Sequence, residues 1–191
     1  MMFRPRLGQR LFLGRREALL TDDFTTPRLV AERLHERHLA DLIALHLDPE
    51  VSRYLGGTRS PEATKAYLMT NLAHWAQHGF GLWALWTADG AFVGRAGIRP
   101  LSVEGAPEVE VAYALVRAFW GRGLASEITT ALVDQGLAKR NLPSLIGVVF
   151  TEHVASRHVL EKVGFALERE VVHAGAPCVL YRRAGRAAAP H

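Results

Sequence analysis

Glu110-Val-Ala-Tyr-Ala-Leu-Val-Arg-Ala-Phe-Trp-Gly-Arg-Gly-Leu-Ala-Ser-Glu127 reads as an alternating strand that turns through two closely spaced glycines straight into an amphipathic helix. Consecutive backbone N–H groups in such a turn, followed by the positive end of a helix dipole, form a cradle for a pyrophosphate that needs no metal. Gly123 and Ala125 are small enough to let an anion approach the backbone. A plain strand-to-helix connection, with glycines for close packing, is the competing account, because Gly-x-Gly alone is a weak signal. The dinucleotide fingerprint is not completed, since Ser126 stands where its third glycine belongs and the turn follows the fourth strand rather than the first. A Walker loop is unsupported too, because no Gly-Lys-Ser/Thr follows.

Around this turn the chain punctuates itself clearly. Arg28 to Leu34 reads as a first strand, followed by a helix with Leu39, Leu42, Ile43 and His46 at helical spacing. Asp48-Pro49 and Gly56-Gly57 break the chain, and Ser60-Pro61-Glu62 starts a second helix that carries Leu68, Leu72 and Trp75 until Gly79 stops it. Strands from Gly81 to Thr87 and from Ala91 to Arg99 flank Asp89-Gly90, a hairpin signal. The fourth strand, Val109 to Val116, leads into a helix from Arg122 to Arg140 with Leu124, Ile128, Ala131 and Leu132 inward. Leu145 to Phe150 is a continuously apolar fifth strand suited to an interior position. A helix with Ala155, Val159 and Val163 follows, then Gly164 and two strands separated by Gly175-Ala-Pro177. The order β-α-α-β-β-β-α-β-α-β-β gives an α/β fold: one twisted mixed sheet with helices on both faces.

The 191 residues, 49% hydrophobic and 22% charged, suit one domain with a real core. The net charge of +4 is confined to the ends: residues 1–23 carry +2, the tail from Arg182 carries +3, and the body between is −1. A nearly neutral body is not a polyanion surface, so no nucleic-acid partner is expected. No apolar stretch is long enough to span a bilayer, and Leu11-Phe-Leu13 is too short for a signal-peptide core. The single Cys178 excludes an intramolecular disulfide and suits a reducing, cytoplasmic setting. Residues 1–23 are expected to be a disordered or non-native extension, 24–183 the single domain and 184–191 a flexible tail; the state is monomer or homodimer.

Together with Ser156 and Leu160-Glu-Lys-Val-Gly-Phe165, the glycine turn resembles the Gcn5-related N-acetyltransferase (GNAT) superfamily, and within it the branch acting on ribosomal-protein N-termini. Trp120-Gly-Arg-Gly123-Leu-Ala125 matches the last two positions of the family loop Gln/Arg-x-x-Gly-x-Gly/Ala and departs at the first, where Trp120 stands. The likeness covers most of residues 26–183, including Pro27-Arg-Leu-Val, Asp48-Pro-Glu-Val and Tyr54-Leu-Gly-Gly57. It implies acetyl-CoA as co-substrate, with Gly121, Arg122, Gly123, Leu124, Ala125 and Ser126 around its pyrophosphate. Leu115, Val116 and Arg117 would pair with the pantetheine arm like an added strand. Arg117 and Arg122 are candidates for phosphate contact.

Acetyl transfer from a thioester needs a neutral amine, a donor for the developing oxyanion and a proton source for the leaving thiolate. An α-amino group with a pKa near 8 is partly neutral at pH 7, whereas a lysine with one near 10.4 is almost wholly protonated, so an N-terminal acceptor asks less of its base. The resemblance makes Glu110 the proton acceptor, with Glu108 competing from the same face, and a backbone N–H near Leu115 or Val116 the oxyanion donor. The family Tyr that protonates the thiolate is replaced by Leu160, and Ser156, which matches the branch's Ser, offers a hydroxyl instead. His153 takes the branch's Asn position; it could bind the pantetheine arm or make activity pH-sensitive near 6.5. Helix-start capping by Ser156 and His153 is the plainer alternative.

The histidine pairs His74/His78 and His35/His38 lack a third ligand, so no metal is expected. Trp83, Trp86 and Trp120 are read as core before pocket. The expected activity is transfer of an acetyl group to a protein or peptide α-amino group by direct attack. A small amine such as an aminoglycoside or polyamine is the enzymatic alternative, and an acyl-CoA-binding sensor the non-catalytic one.

Overall fold

The computed structural model describes residues 22–185. Eight strands form one mixed sheet: β1 (Phe24–Thr25), β2 (Leu29–Arg33), β3 (Leu82–Thr87), β4 (Phe92–Val103), β5 (Ala106–Leu115), β6 (Ser144–Phe150), β7 (Ala166–His173) and β8 (Ala176–Ala184). They lie in the order β1-β2-β3-β4-β5-β6-β8-β7. Every neighbouring pair is antiparallel except β5 and β6, which are parallel. The helices are α1 (Leu39–Leu47), α2 (Pro49–Ser52), α3 (Pro61–His78), α4 (Leu124–Val133) and α5 (Val154–Lys162).

The expected order of elements holds, with two additions. β1 is a two-residue strand on the sheet edge, and Asp48-Pro49, read as a break, opens the one-turn helix α2. Asp48 Oδ1 accepts from the N–H groups of Glu50 and Val51, and Pro49 takes the first position, where its missing N–H costs nothing. α3 behaves as read: Ser60 caps it, and Gly79 ends it at a left-handed φ of 68°.

The helix after the glycine turn is shorter than expected. It starts at Leu124, because Gly123 before it is left-handed, and from Asp134 to Ala138 it widens into a π-type turn. Of the expected N-terminal extension, residues 1–21 lie outside the described residues, but Asp23 accepts from the Arg33 N–H at 2.7 Å and the Asp22 carbonyl accepts from Trp83 Nε1 at 2.7 Å. At the other end Ala184 belongs to β8 and Gly185 donates to the Pro143 carbonyl at 2.8 Å, while residues 186–191 are outside the described range.

Two apolar clusters cover the two faces. Leu42 and Leu45 of α1 and Leu68 of α3 pack with Leu82, Ala84 and Ala114 on one side. Leu124, Ile128 and Leu132 of α4 and Leu160 of α5 pack with Val111, Leu115 and Val149 on the other. Trp83 is wholly buried, edge-on to Trp75 at 4.9 Å. In α5 the inward residue is Leu160, with Val163 buried just past the helix end; Ala155 is exposed and Val159 only half-buried. Both line a cleft instead, so their apolar spacing reports a cleft wall rather than the core. Among the described residues no helix is long and apolar enough to cross a membrane.

Candidate active site

The cleft follows from the one weak seam in the sheet. β4 and β5 pair over ten consecutive positions, from Gly94↔Leu115 to Val103↔Ala106. β5 and β6 meet in register only at Glu110↔Ile146. Past that point Val111 to Leu115 and Gly147 to Phe150 form opposite walls of a cavity of about 910 Å³, closed by α5 and the start of α4.

Backbone alternation says which groups the gap exposes. Val116 N–H donates to the Val93 carbonyl at 2.9 Å. In an antiparallel ladder alternate residues bond to the same neighbour, so Ala112 and Ala114 also turn toward β4 while Tyr113 and Leu115 present their backbone to the gap. The Leu115 carbonyl is already taken by Trp120 Nε1 at 2.7 Å. Its N–H remains on the free edge. Leu115 thus stands where an added strand would pair, whereas Val116 spends its N–H on β4 and Arg117 is exposed in a short 3-10 turn; neither lines the cleft.

The glycine turn sits at the mouth. Gly121 and Gly123 have φ of 71° and 76°, left-handed values that a Cβ disfavours. No side chain caps α4, so its first N–H groups, at Leu124, Ala125 and Ser126, are left to the cleft those residues line. An anion there would gain roughly 0.3–2 kcal/mol from the helix terminus. Arg122 lies outside the lining; its guanidinium stacks on Phe119 at 5.4 Å and its carbonyl accepts from Arg28 Nη1 at 2.8 Å. Arg28 also donates through Nε to Glu127 Oε2 at 2.6 Å, so the residue just before β2 clamps the turn from outside.

The two candidate carboxylates separate. Glu110 is 5% exposed, lines the cleft at its vertex and receives Arg99 Nε on Oε1 at 2.5 Å. Glu108 is gripped by both Nη atoms of Arg182, at 2.6 and 2.9 Å, outside the cleft. That guanidinium holds its carboxyl below the usual carboxylate range.

Ser156 and His153 do not cap α5 as the plainer alternative had it. His153 makes no cap bond and stacks flat on Tyr54 at 4.0 Å in the cleft wall. Burial, followed by the charge of Arg53, lowers its pKa below 6.5, so the imidazole is neutral at physiological pH. A pH response near 6.5 is therefore not expected from it. The His153→Asn variant should leave the rise of kcat/KM between pH 7 and 8.5 unchanged; a displaced limb, measured with an N-terminal peptide, would return His153 to the titrating groups.

Ser156 Oγ lies 2.8 Å from the hydroxyl of Tyr113, a residue the sequence reading passed over. Burial pushes the Tyr113 phenol up to about 12, so it stays protonated. Its signal was in the alternating run itself: the only hydroxylated side chain among apolar neighbours from Val111 to Val116. Trp120, read as core, is 47% exposed and lines the cleft. Trp83 is core as expected, and Trp86 packs edge-on to Phe92, away from the cavity. His74 and His78 pack ring to ring at 4.4 Å, also away from it.

A strand edge opened beside a helix N-terminus, with hydroxyls on one wall, suits an extended arm that ends in a pyrophosphate. The model of the acetyltransferase (GNAT) domain matches residues 28–166, and the chain belongs to that family. It is an acetyl-CoA-dependent N-acetyltransferase. Among curated relatives, the uncharacterized protein YkkB of Bacillus subtilis is 28% identical over 83% of this chain and 93% of its own. Among solved structures, the acetyltransferase of Agrobacterium tumefaciens C58 has a TM-score of 0.76 at 25% identity, covering 89% of this chain and 99% of its own. RimL, the ribosomal L7/L12 α-N-protein acetyltransferase in complex with coenzyme A, shares the fold with a TM-score of 0.70 at 20% identity, over 84% and 96% of the two chains.

Proposed function

We propose that the chain acetylates the α-amino group of a protein or peptide by direct attack of that amine on acetyl-CoA, as the ribosomal-protein branch does. The observation that carries this is the gap between β5 and β6, which joins the α4 N-terminus, the free edge at Tyr113 and Leu115, and the carboxylate of Glu110 in one cavity. The thioester supplies an activated acyl carbon, and the protein's residues do the rest. Gly121 to Ser126 receive the pyrophosphate, and the Leu115 N–H faces the developing negative oxygen. Glu110, with Oε1 held by Arg99, takes the amine proton on its other oxygen. The Tyr113 hydroxyl is hydrogen-bonded to Ser156 Oγ; with the phenol as donor, the serine hydrogen is free to meet the departing sulfur.

Thermal stability with acetyl-CoA, followed by thiol release across N-terminal peptides and small amines, tests the reading. Stabilisation with peptide-dependent release supports it. Release with polyamines or aminoglycosides but not peptides would replace the acceptor, and no response to acetyl-CoA would remove the site.

The hydroxyl pair has its own test. The Ser156→Ala and Tyr113→Phe variants should each lower kcat by roughly tenfold with little change in acetyl-CoA affinity, the scale of one hydrogen bond to a developing charge. Equal losses in both quantities would mean that the pair only positions the cofactor.

A further inference from the structure

The face of the sheet opposite α4 holds two guanidiniums, of Arg59 and Arg95, that the proposed transfer of an acetyl group does not use. Arg95 and Arg99 stand on the same side of β4, beneath α1 and α3, and Arg59 enters from the segment before α3; all three line the cleft. Arg95 is 3% exposed. The Tyr67 ring lies near both the Arg59 and Arg95 guanidiniums, at 5.2 and 5.3 Å from their carbons. Arg99 is answered by Glu110. Among the described residues, no carboxylate comes within ion-pairing distance of Arg59 or Arg95.

Among the described residues, four buried polar atoms here also lack hydrogen-bond partners: Arg95 Nε, Arg59 Nη1, the Tyr67 hydroxyl and His46 Nε2. Burial, then the charges of Arg95 and Arg59, pushes His46 down to about 3, so it contributes no further charge. Buried polar atoms normally find partners, and a guanidinium held from water without an anion is costly. Arg59 and Arg95 line the cleft while Tyr67 and His46 lie outside its lining, so two guanidiniums without a carboxylate partner stand together at one end of it. The cluster lies across the sheet from the α4 N-terminus, so it is not the pyrophosphate's site.

We infer that this end of the cleft receives an anion, and that the acceptor substrate is an amine carrying a carboxylate. The inference rests on the transferase reading and narrows its substrate. Planar guanidiniums match a carboxylate through paired N–H donors. A polycationic acceptor would meet like charge. The carboxylate comes either from a free amino acid or from an acidic side chain next to a peptide N-terminus.

Matched acceptors separate these cases: amino acids against their amides, peptides beginning Ser-Asp against Ser-Asn, and spermidine as the polycation, each assayed by thiol release from acetyl-CoA. The carboxylate member of at least one pair should have a kcat/KM roughly 10–100-fold higher, the scale of charge-assisted bonds. Which pair responds names the carboxylate's source. Arg59→Gln and Arg95→Met should each erase that preference while stabilisation by acetyl-CoA persists; Arg59 is only half-buried, so its variant is informative even if Arg95→Met does not fold.

Equal rates within every pair, faster turnover of spermidine, or a preference that survives Arg59→Gln would overturn the inference and leave the transferase intact. So would silence from every amine in a protein that acetyl-CoA still stabilises. Absence of that stabilisation would overturn the underlying reading as well.

Discussion

The Gly123→Asp variant should lose coenzyme A affinity by about a thousandfold. Gly123 sits at φ 76° immediately before α4, whose first N–H groups face the cleft. Asp tolerates left-handed backbone better than most residues, so the fold should survive. What it adds is a negative charge at the proposed pyrophosphate site. At about 4 Å and an effective dielectric near 20, two unit charges repel by about 4 kcal/mol, close to three powers of ten in affinity. Arg28, whose guanidinium stands 3.6 Å from where the new Cβ would be, is already engaged by Glu127. Gly123→Asn is the control, because it shares the backbone tolerance and lacks the charge. Calorimetric titration with coenzyme A should find the Asn variant much closer to the parent than the Asp variant. Equal losses would assign the effect to bulk, and unchanged affinity in both would take the turn out of the site.

The second large effect belongs to Glu110→Gln. Removing a positioned general base costs on the order of 10²–10⁴ in rate, and here it should appear in kcat with acetyl-CoA affinity preserved. The residual rate should climb about tenfold per pH unit until the acceptor amine reaches its own pKa, near 7.7–8.0 for an α-amino group. Neutral amine must then form without help. Stabilisation by acetyl-CoA serves as the check on folding, since the change also removes the partner of Arg99. A fall of less than about threefold would leave Glu110 only the task of holding Arg99, well short of what a base contributes.

How far the sequence could carry these arguments depended on whether a signal was local. The caps of α3, the glycine pair, the Asp89-Gly90 hairpin and the apolar β6 are local patterns, and they fixed most of the sheet. The end of α4 was not legible, because the pattern reads as one helix as far as Arg140 while the chain widens over Asp134–Ala138. Gly136 lies there with Leu145 so close that an added Cβ would stand 2.9 Å from its Cδ1, a tertiary demand that no periodicity records.

The candidate site divides in the same way. Glu110, the glycine turn and Ser156 were found through motifs. Tyr113 needed the knowledge that α5 brings Ser156 over β5, and the arginine cluster needed the register of β4, where Arg95 and Arg99 point away from Ala96 and Ile98. Two charged residues on the non-alternate side of Gly94 to Arg99 were the available clue. Its meaning depended on α1 and α3 covering that side.

The single rung between β5 and β6 has a mechanical consequence. Strands β1 to β5 are joined by consecutive antiparallel neighbours, and β6, β8 and β7 form a second antiparallel group. Edge to edge, these two leaves meet in register at one position. A co-substrate that lays its arm along Tyr113 and Leu115 would act as the missing strand between them and splint the leaves into one continuous plate. Any ligand that binds only the folded form raises stability by RT ln(1 + [L]/Kd). Amide exchange at the Leu115 N–H should therefore slow when acetyl-CoA is present, and the supply of acetyl-CoA would set how stiffly the protein holds together.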